Sequence, residues 1–154
     1  MDDEVRELYQ EVILDHGKNP RNFGQLEDAN CEAQGNNPLC GDRLTVYLKI
    51  DDDRLISDAT FEGKGGAISM ASASMMTQMV CGKTVSLVKN LFDKFHKLCT
   101  GEIEEFPEEE FSDDVDKLRV MSGVRQFPMR VKCATLGWHT MNAAVSGDSE
   151  TTTE

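Results

Sequence analysis

Apolar residues at Val5, Leu8, Tyr9, Val12 and Ile13 recur at i, i+3, i+4, i+7 and i+8 and predict an amphipathic first helix, which Gly17 and Pro20 end. From Arg43 the pattern changes period. RLTVYLKI is β-branched and roughly alternating, DDDR reads as a turn, and LISDATFEG reads as a second strand antiparallel to the first. The stretch NCEAQGN before this hairpin is expected to add a third, shorter strand, although its glycine and polar residues weaken the strand signal.

After the glycines at 63, 65 and 66, AISMASASMMTQMVC alternates small residues with methionines and meets no breaker until Gly82, which predicts a closely packed helix capped by that glycine. Thr84 can cap the next helix, whose face is Val88, Leu91, Phe92, Phe95, Leu98 and Cys99. Residues 102–116 hold nine acids and no base, a solvated and mobile connection from which a short helix resumes near Val115 to Val124. Pro128 opens a last helix. The predicted fold is α+β, a small three-stranded antiparallel sheet with about five helices packed mainly on one face. One domain is expected over residues 1–145, followed by a disordered acidic tail over 146–154.

Charge narrows the partners. A net charge of -12 leaves no clustered lysine and arginine to neutralise a phosphate backbone, which argues against nucleic acid. The acidic, amphipathic start is unlike a secretion signal, and no apolar run reaches membrane-spanning length, so the expectation is a cytoplasmic protein with no membrane partner. Cys31, Cys40, Cys81, Cys99 and Cys133 are odd in number and irregularly spaced, which suits reduced thiols better than a disulfide framework.

Two nucleotide motifs fail on inspection. GxGxxG would need a glycine at Ile68, and GKT at 82–84 lacks the leading glycine because Thr77 sits there. Cys99 shares a stripe with Phe92 and Phe95 and reads as a core thiol, and Cys31 and Cys81 have no polar partner nearby in sequence. His16, His96 and His139 occur singly, without a pair at metal spacing, and the methionines at 70, 75, 76 and 79 read as core filling.

NNPLCGDR at 36–43 is different. It sets a cysteine between a proline turn and a glycine, two residues before an aspartate, where a strand begins. Cys40 and Asp42 can offer a thiolate and a carboxylate to one metal, a mixed set suited to zinc or iron. Cys133, early in the last helix and flanked by Arg130 and Lys132, is a second reactive thiol, and the helix dipole and cations are expected to lower its pKa.

LYQEVILDHGKNPRNFG at 8–24, NNPLCGDRL at 36–44, FEGKGGAISMASASMMT at 61–77, GK at 82–83 and FPMRVKCATLGWH at 127–139 together resemble the U-type iron–sulfur cluster assembly proteins, IscU and SufU. The extra segment around residues 101–120, and Lys132 where the IscU branch carries a histidine, are similar to the SufU branch. The resemblance implies a metal site of Cys40, Asp42 and Cys133 holding zinc, iron or a 2Fe-2S cluster. It also implies that Cys40, with Cys133 as the alternative, accepts sulfane sulfur from a pyridoxal-phosphate cysteine desulfurase of the SufS type; Arg130, beside Cys133 in the sequence, is the supporting cation expected. Other iron–sulfur assembly proteins are the further partners implied.

One position departs from the family. Its pattern reads G-C-x-I-S, whereas this chain reads Gly65, Gly66, Ala67, Ile68, Ser69, so the middle thiolate is missing and three of four tetrahedral positions remain. Three roles follow as alternatives: a zinc-dependent sulfur acceptor, a scaffold for a transient 2Fe-2S cluster, and a docking module that has lost the chemistry.

Overall fold

The computed structural model describes residues 3–104 and 113–152. Helix α1 (Asp3–Lys18) precedes strands β1 (Cys31–Asn37), β2 (Asp42–Ile50) and β3 (Ile56–Lys64), then α2 (Ala67–Val80) and α3 (Val85–Thr100). A 3-10 helix over Asp113–Gln126 leads into α4 (Pro128–Val145), and β4 (Glu150–Thr152) ends the order. The side chains of Val5, Leu8 and Tyr9, and most of the acidic connection, lie outside the described residues. Val12 and Ile13 pack against the core as their spacing requires.

The hairpin and the weaker third strand both form: β1 pairs antiparallel with β2 from Cys31↔Leu48 to Asn37↔Asp42, and β2 with β3 from Arg43↔Lys64 to Ile50↔Ile56. Along β2 the alternation puts Asp42, Leu44, Val46, Leu48 and Ile50 on the buried face. Helices α2 and α4 cover that face.

The sheet has four strands and is mixed, not three-stranded and antiparallel. β4 lies parallel to β1, with Gln34↔Glu150 to Asn36↔Thr152, in the order β3-β2-β1-β4. This strand falls in the segment whose composition predicts disorder. Gly147, at φ +83, reverses the chain after α4, and Gln34 then donates its backbone N–H to Ser149 O at 2.9 Å. Three polar residues satisfying the edge of β1 show no apolar alternation, so the stabilisation comes from backbone hydrogen bonds and β-branched threonines.

The serine- and methionine-rich helix is buried because its small side chains admit close neighbours and its hydroxyls are paired. A Cβ at Gly137 of α4 would lie 3.0 Å from Ala73 Cβ. Ser72 donates to Ala134 O and accepts from Trp138 Nε1, and Trp138 stacks on Phe95 with ring centroids 4.6 Å apart. Ser74 accepts the Arg21 backbone N–H at 2.8 Å, which anchors the segment after α1. Met75, Met76 and Met79 fill the core. No helix among the described residues is long and apolar enough to cross a membrane.

Candidate metal centre

Four pieces of chain meet at one end of the sheet. Asn37 and Asp42 pair across the base of the β1–β2 hairpin, so residues 38–41 form its tip. Two backbone hydrogen bonds to Asn37 O, from Cys40 N and Gly41 N, close that tip, and Gly41 takes the positive φ of +73 that glycine supplies most readily. Cys40 is therefore exposed, as a cysteine at a proline–glycine turn should be.

The first residue of β2 points the other way. Asp42 is 2% exposed, and both of its oxygens are engaged. Gly66 donates its backbone N–H to Oδ1 at 3.1 Å, and Ser69 donates its hydroxyl to Oδ2 at 2.6 Å. These donors come from the β3–α2 junction and the first turn of α2, so a charged group ends up buried and hydrogen-bonded.

Helix α4 supplies Cys133, whose Sγ lies 3.6 Å from Cys40 Sγ. Asn37, 1% exposed, aims Nδ2 at Cys133 Sγ from 3.7 Å. The Oδ1 of the same amide is buried with no hydrogen-bond partner among the described residues.

The expected lowering of the Cys133 pKa does not occur. Burial pushes the thiol up to about 12, and Cys40 and Asp42 push in the same direction. Cys133 is beyond the first turn of α4, where the dipole effect fades, and its immediate neighbours are a thiol and a carboxylate. Arg130 is exposed and lays its guanidinium 4.7 Å from the Phe127 ring centroid.

One ligand atom from each of Cys40, Asp42 and Cys133 lies within 4.8 Å of the others. Two thiolates bound at about 2.3 Å in a tetrahedral arrangement sit about 3.8 Å apart, and the observed 3.6 Å is close to that separation. The two sulfurs and one oxygen thus fit three positions of a zinc or iron ion. No fourth cysteine, histidine or acid among the described residues joins them. Cys99 is buried in the core, and Cys81 and Cys31 are half-buried against it. His16 bonds Ser74, and His96 and His139 meet Phe92 edge-on.

At the position of the missing thiolate, a Cβ added to Gly66 would meet nothing within 4 Å, and its φ of -73 suits any residue. Gly65 is the opposite: a Cβ there would come within 2.8 Å of Asp42 Oδ1. Sequence reading missed Asn37 and Ser69, whose roles exist only across the tertiary contact. Their signals were slight: an asparagine heading NPLCGD, and a serine in the first turn after the glycine pair.

The chain is an α+β domain that gathers two cysteines and an aspartate, from a hairpin tip and α4, into one donor set able to hold a metal ion. A model of the NifU-like N-terminal domain matches residues 8–152, and the chain belongs to that family. The zinc-dependent sulfurtransferase SufU of Bacillus subtilis (strain 168) is 43% identical over 141 residues, covering 90% of each chain. The iron–sulfur cluster assembly scaffold protein IscU of Streptococcus pyogenes serotype M1 is 37% identical, covering 92% of this chain and 84% of its own. Among solved structures, a putative scaffold protein for the SUF system from Fervidobacterium islandicum superposes with a TM-score of 0.76 at 34% identity, over 91% of this chain and 98% of that one.

Proposed function

We propose that this chain is a SufU-type sulfur acceptor in iron–sulfur cluster assembly, receiving persulfide sulfur at Cys40 from a cysteine desulfurase in the cytoplasm. The observation that carries the reading is the exposed thiol at a hairpin tip, 3.6 Å from a second thiol and in one donor set with a buried, doubly hydrogen-bonded carboxylate. The 43% identity to a zinc-dependent sulfurtransferase supports it.

The exposed position lets Cys40 reach a partner's active site. Its thiolate attacks the outer sulfur of the desulfurase persulfide, the sulfur–sulfur bond there breaks, the desulfurase thiolate leaves, and Cys40 carries the sulfane sulfur. Cys40, Asp42 and Cys133 would hold zinc or iron, and a bound ion supplies thiolates that are deprotonated at neutral pH. Asn37 turns an N–H toward Cys133 Sγ and helps fix its orientation. Arg130, three residues before Cys133 and so on the same side of α4, is the cation available to an incoming persulfide.

A second reading uses the same residues as a scaffold for a transient 2Fe-2S cluster, favoured by the 37% identity to a named scaffold. Desulfurase turnover with each variant decides for sulfur transfer. Wild-type chain should accelerate turnover and Cys40→Ala should not; equal acceleration by both would remove Cys40 as acceptor. Air-sensitive visible absorption after reconstitution with iron and sulfide, without such acceleration, would favour the scaffold.

A further inference from the structure

Most of the chain's other chemistry-bearing groups are accounted for by packing. Cys99 belongs to the core, His16 to the α1–α2 contact, and the half-buried Cys31 and Cys81 join no group of three metal-ligating side chains among the described residues. The thiol pair at the hairpin tip holds more chemistry than acceptance requires, because the second thiol is in direct contact with the first.

We infer that Cys133 resolves a persulfide formed on Cys40, so that this chain releases the sulfur as hydrosulfide and is left with a Cys40–Cys133 disulfide. The inference rests on Cys40 as the acceptor and adds what happens next. Cys133 Sγ attacks Cys40 Sγ, the inner sulfur of the persulfide 3.6 Å away in the free thiol pair, and gives up its proton as the bond forms. A bond forms between the two cysteine sulfurs, the bond to the outer sulfur breaks, and that sulfur leaves as hydrosulfide with the electron pair. The persulfide proton stays on the departing sulfur, and the Cys133 proton passes to solvent. The sulfane sulfur is reduced by two electrons, which the Cys40 and Cys133 sulfurs supply together as they are oxidised to the disulfide, so no outside oxidant enters. A dithiol reductant then reopens the disulfide for the next turn.

Three observations assign these roles. The sulfurs lie 3.6 Å apart, and a disulfide requires closure to about 2.05 Å. That shift of roughly 1.5 Å falls on a hairpin tip held by two backbone hydrogen bonds, with glycine at residue 41. Cys40 is exposed and available to a partner, while Cys133 is half-buried behind it with the Asn37 amide pointing at its sulfur, the placement of a resolving thiol. Finally, Gly66 presents no side chain and has open space around its Cβ position. Among the described residues Cys40 and Cys133 are therefore the two thiols of this donor set, and no third thiol is grouped with them.

The test is a single-turnover reaction of the full chain as purified, with its metal content measured, with a cysteine desulfurase and limiting cysteine, in the absence of air and small thiols. Mass spectrometry and hydrosulfide assay are the readouts. Wild-type chain should release one hydrosulfide per sulfur transferred and become lighter by two hydrogens, with Cys40 and Cys133 joined in one cross-linked peptide. Cys133→Ser and Cys133→Ala should instead stop as a stable Cys40 persulfide, one sulfur heavier. A wild-type chain that keeps a stable persulfide beside a free Cys133 thiol overturns the inference and leaves Cys40 as acceptor. No persulfide on Cys40 in either Cys133 variant, with their circular dichroism unchanged, overturns the acceptor reading and the inference together.

Discussion

Ser69 donates its hydroxyl to the Asp42 carboxylate at 2.6 Å, both residues almost fully buried, and so ties the first turn of α2 to the first residue of β2. A carboxylate held by a hydroxyl and a backbone N–H is fixed before any ion arrives. Partners that orient a ligand typically change metal affinity by about 10–100-fold when removed. Ser69→Ala should therefore weaken zinc binding within that range, measured by competition with a chromophoric chelator. Unchanged affinity would show that Asp42 is not a ligand or that Gly66 N–H alone positions it.

The two glycines beside that carboxylate should respond differently. Gly66→Cys enters open space at an ordinary φ, and it should fold as well as wild type and bind zinc more tightly through a fourth donor. Gly65→Ala places a methyl 2.8 Å from Asp42 Oδ1, and it should bind zinc more weakly than wild type. Zinc and iron per chain on anaerobically purified proteins, with melting temperatures alongside, checks both.

Packing between sheet and helix gives a test away from the site. A Cβ on Gly35 would lie 1.8 Å from Thr140 Oγ1 of α4. Gly35→Ala should cost about 1–3 kcal/mol or more in denaturant unfolding, as overpacked cores do. Adding Thr140→Ala should recover part of that loss, because the closest atom is then gone; strict additivity of the two would contradict the contact.

Alkaline pH should destabilise the chain through a core thiol. Burial pushes Cys99 up to about 12, with Arg125 opposing weakly, against an ordinary thiol value of 9.0. The folded state then binds more protons than the unfolded state between those values, so stability is full below pH 9 and falls as pH rises toward 12. Cys99→Ala should flatten this fall; an identical slope in the variant would assign the effect elsewhere.

The hairpin and the α3 stripe were legible because one face of each is buried and the period survives in the sequence. Cys40 could be read as exposed because proline and glycine fix a turn around it. β4 was not legible: Glu150–Thr152 buries nothing apolar, and only its backbone pairs with β1. The direction of the Cys133 shift was also hidden, since Arg130 and Lys132 are its neighbours in sequence while Cys40 and Asp42 surround it in space. Asn37 and Ser69 illustrate the same limit, because a hydrogen bond between distant elements leaves no local pattern.

Tracing the sulfur atom itself tests the account most directly. Radiolabelled cysteine, a cysteine desulfurase and the Cys133→Ser chain should yield label on the peptide carrying Cys40 and none after Cys40→Ala is added. Label confined to any other cysteine, or undiminished without Cys40, would contradict the account.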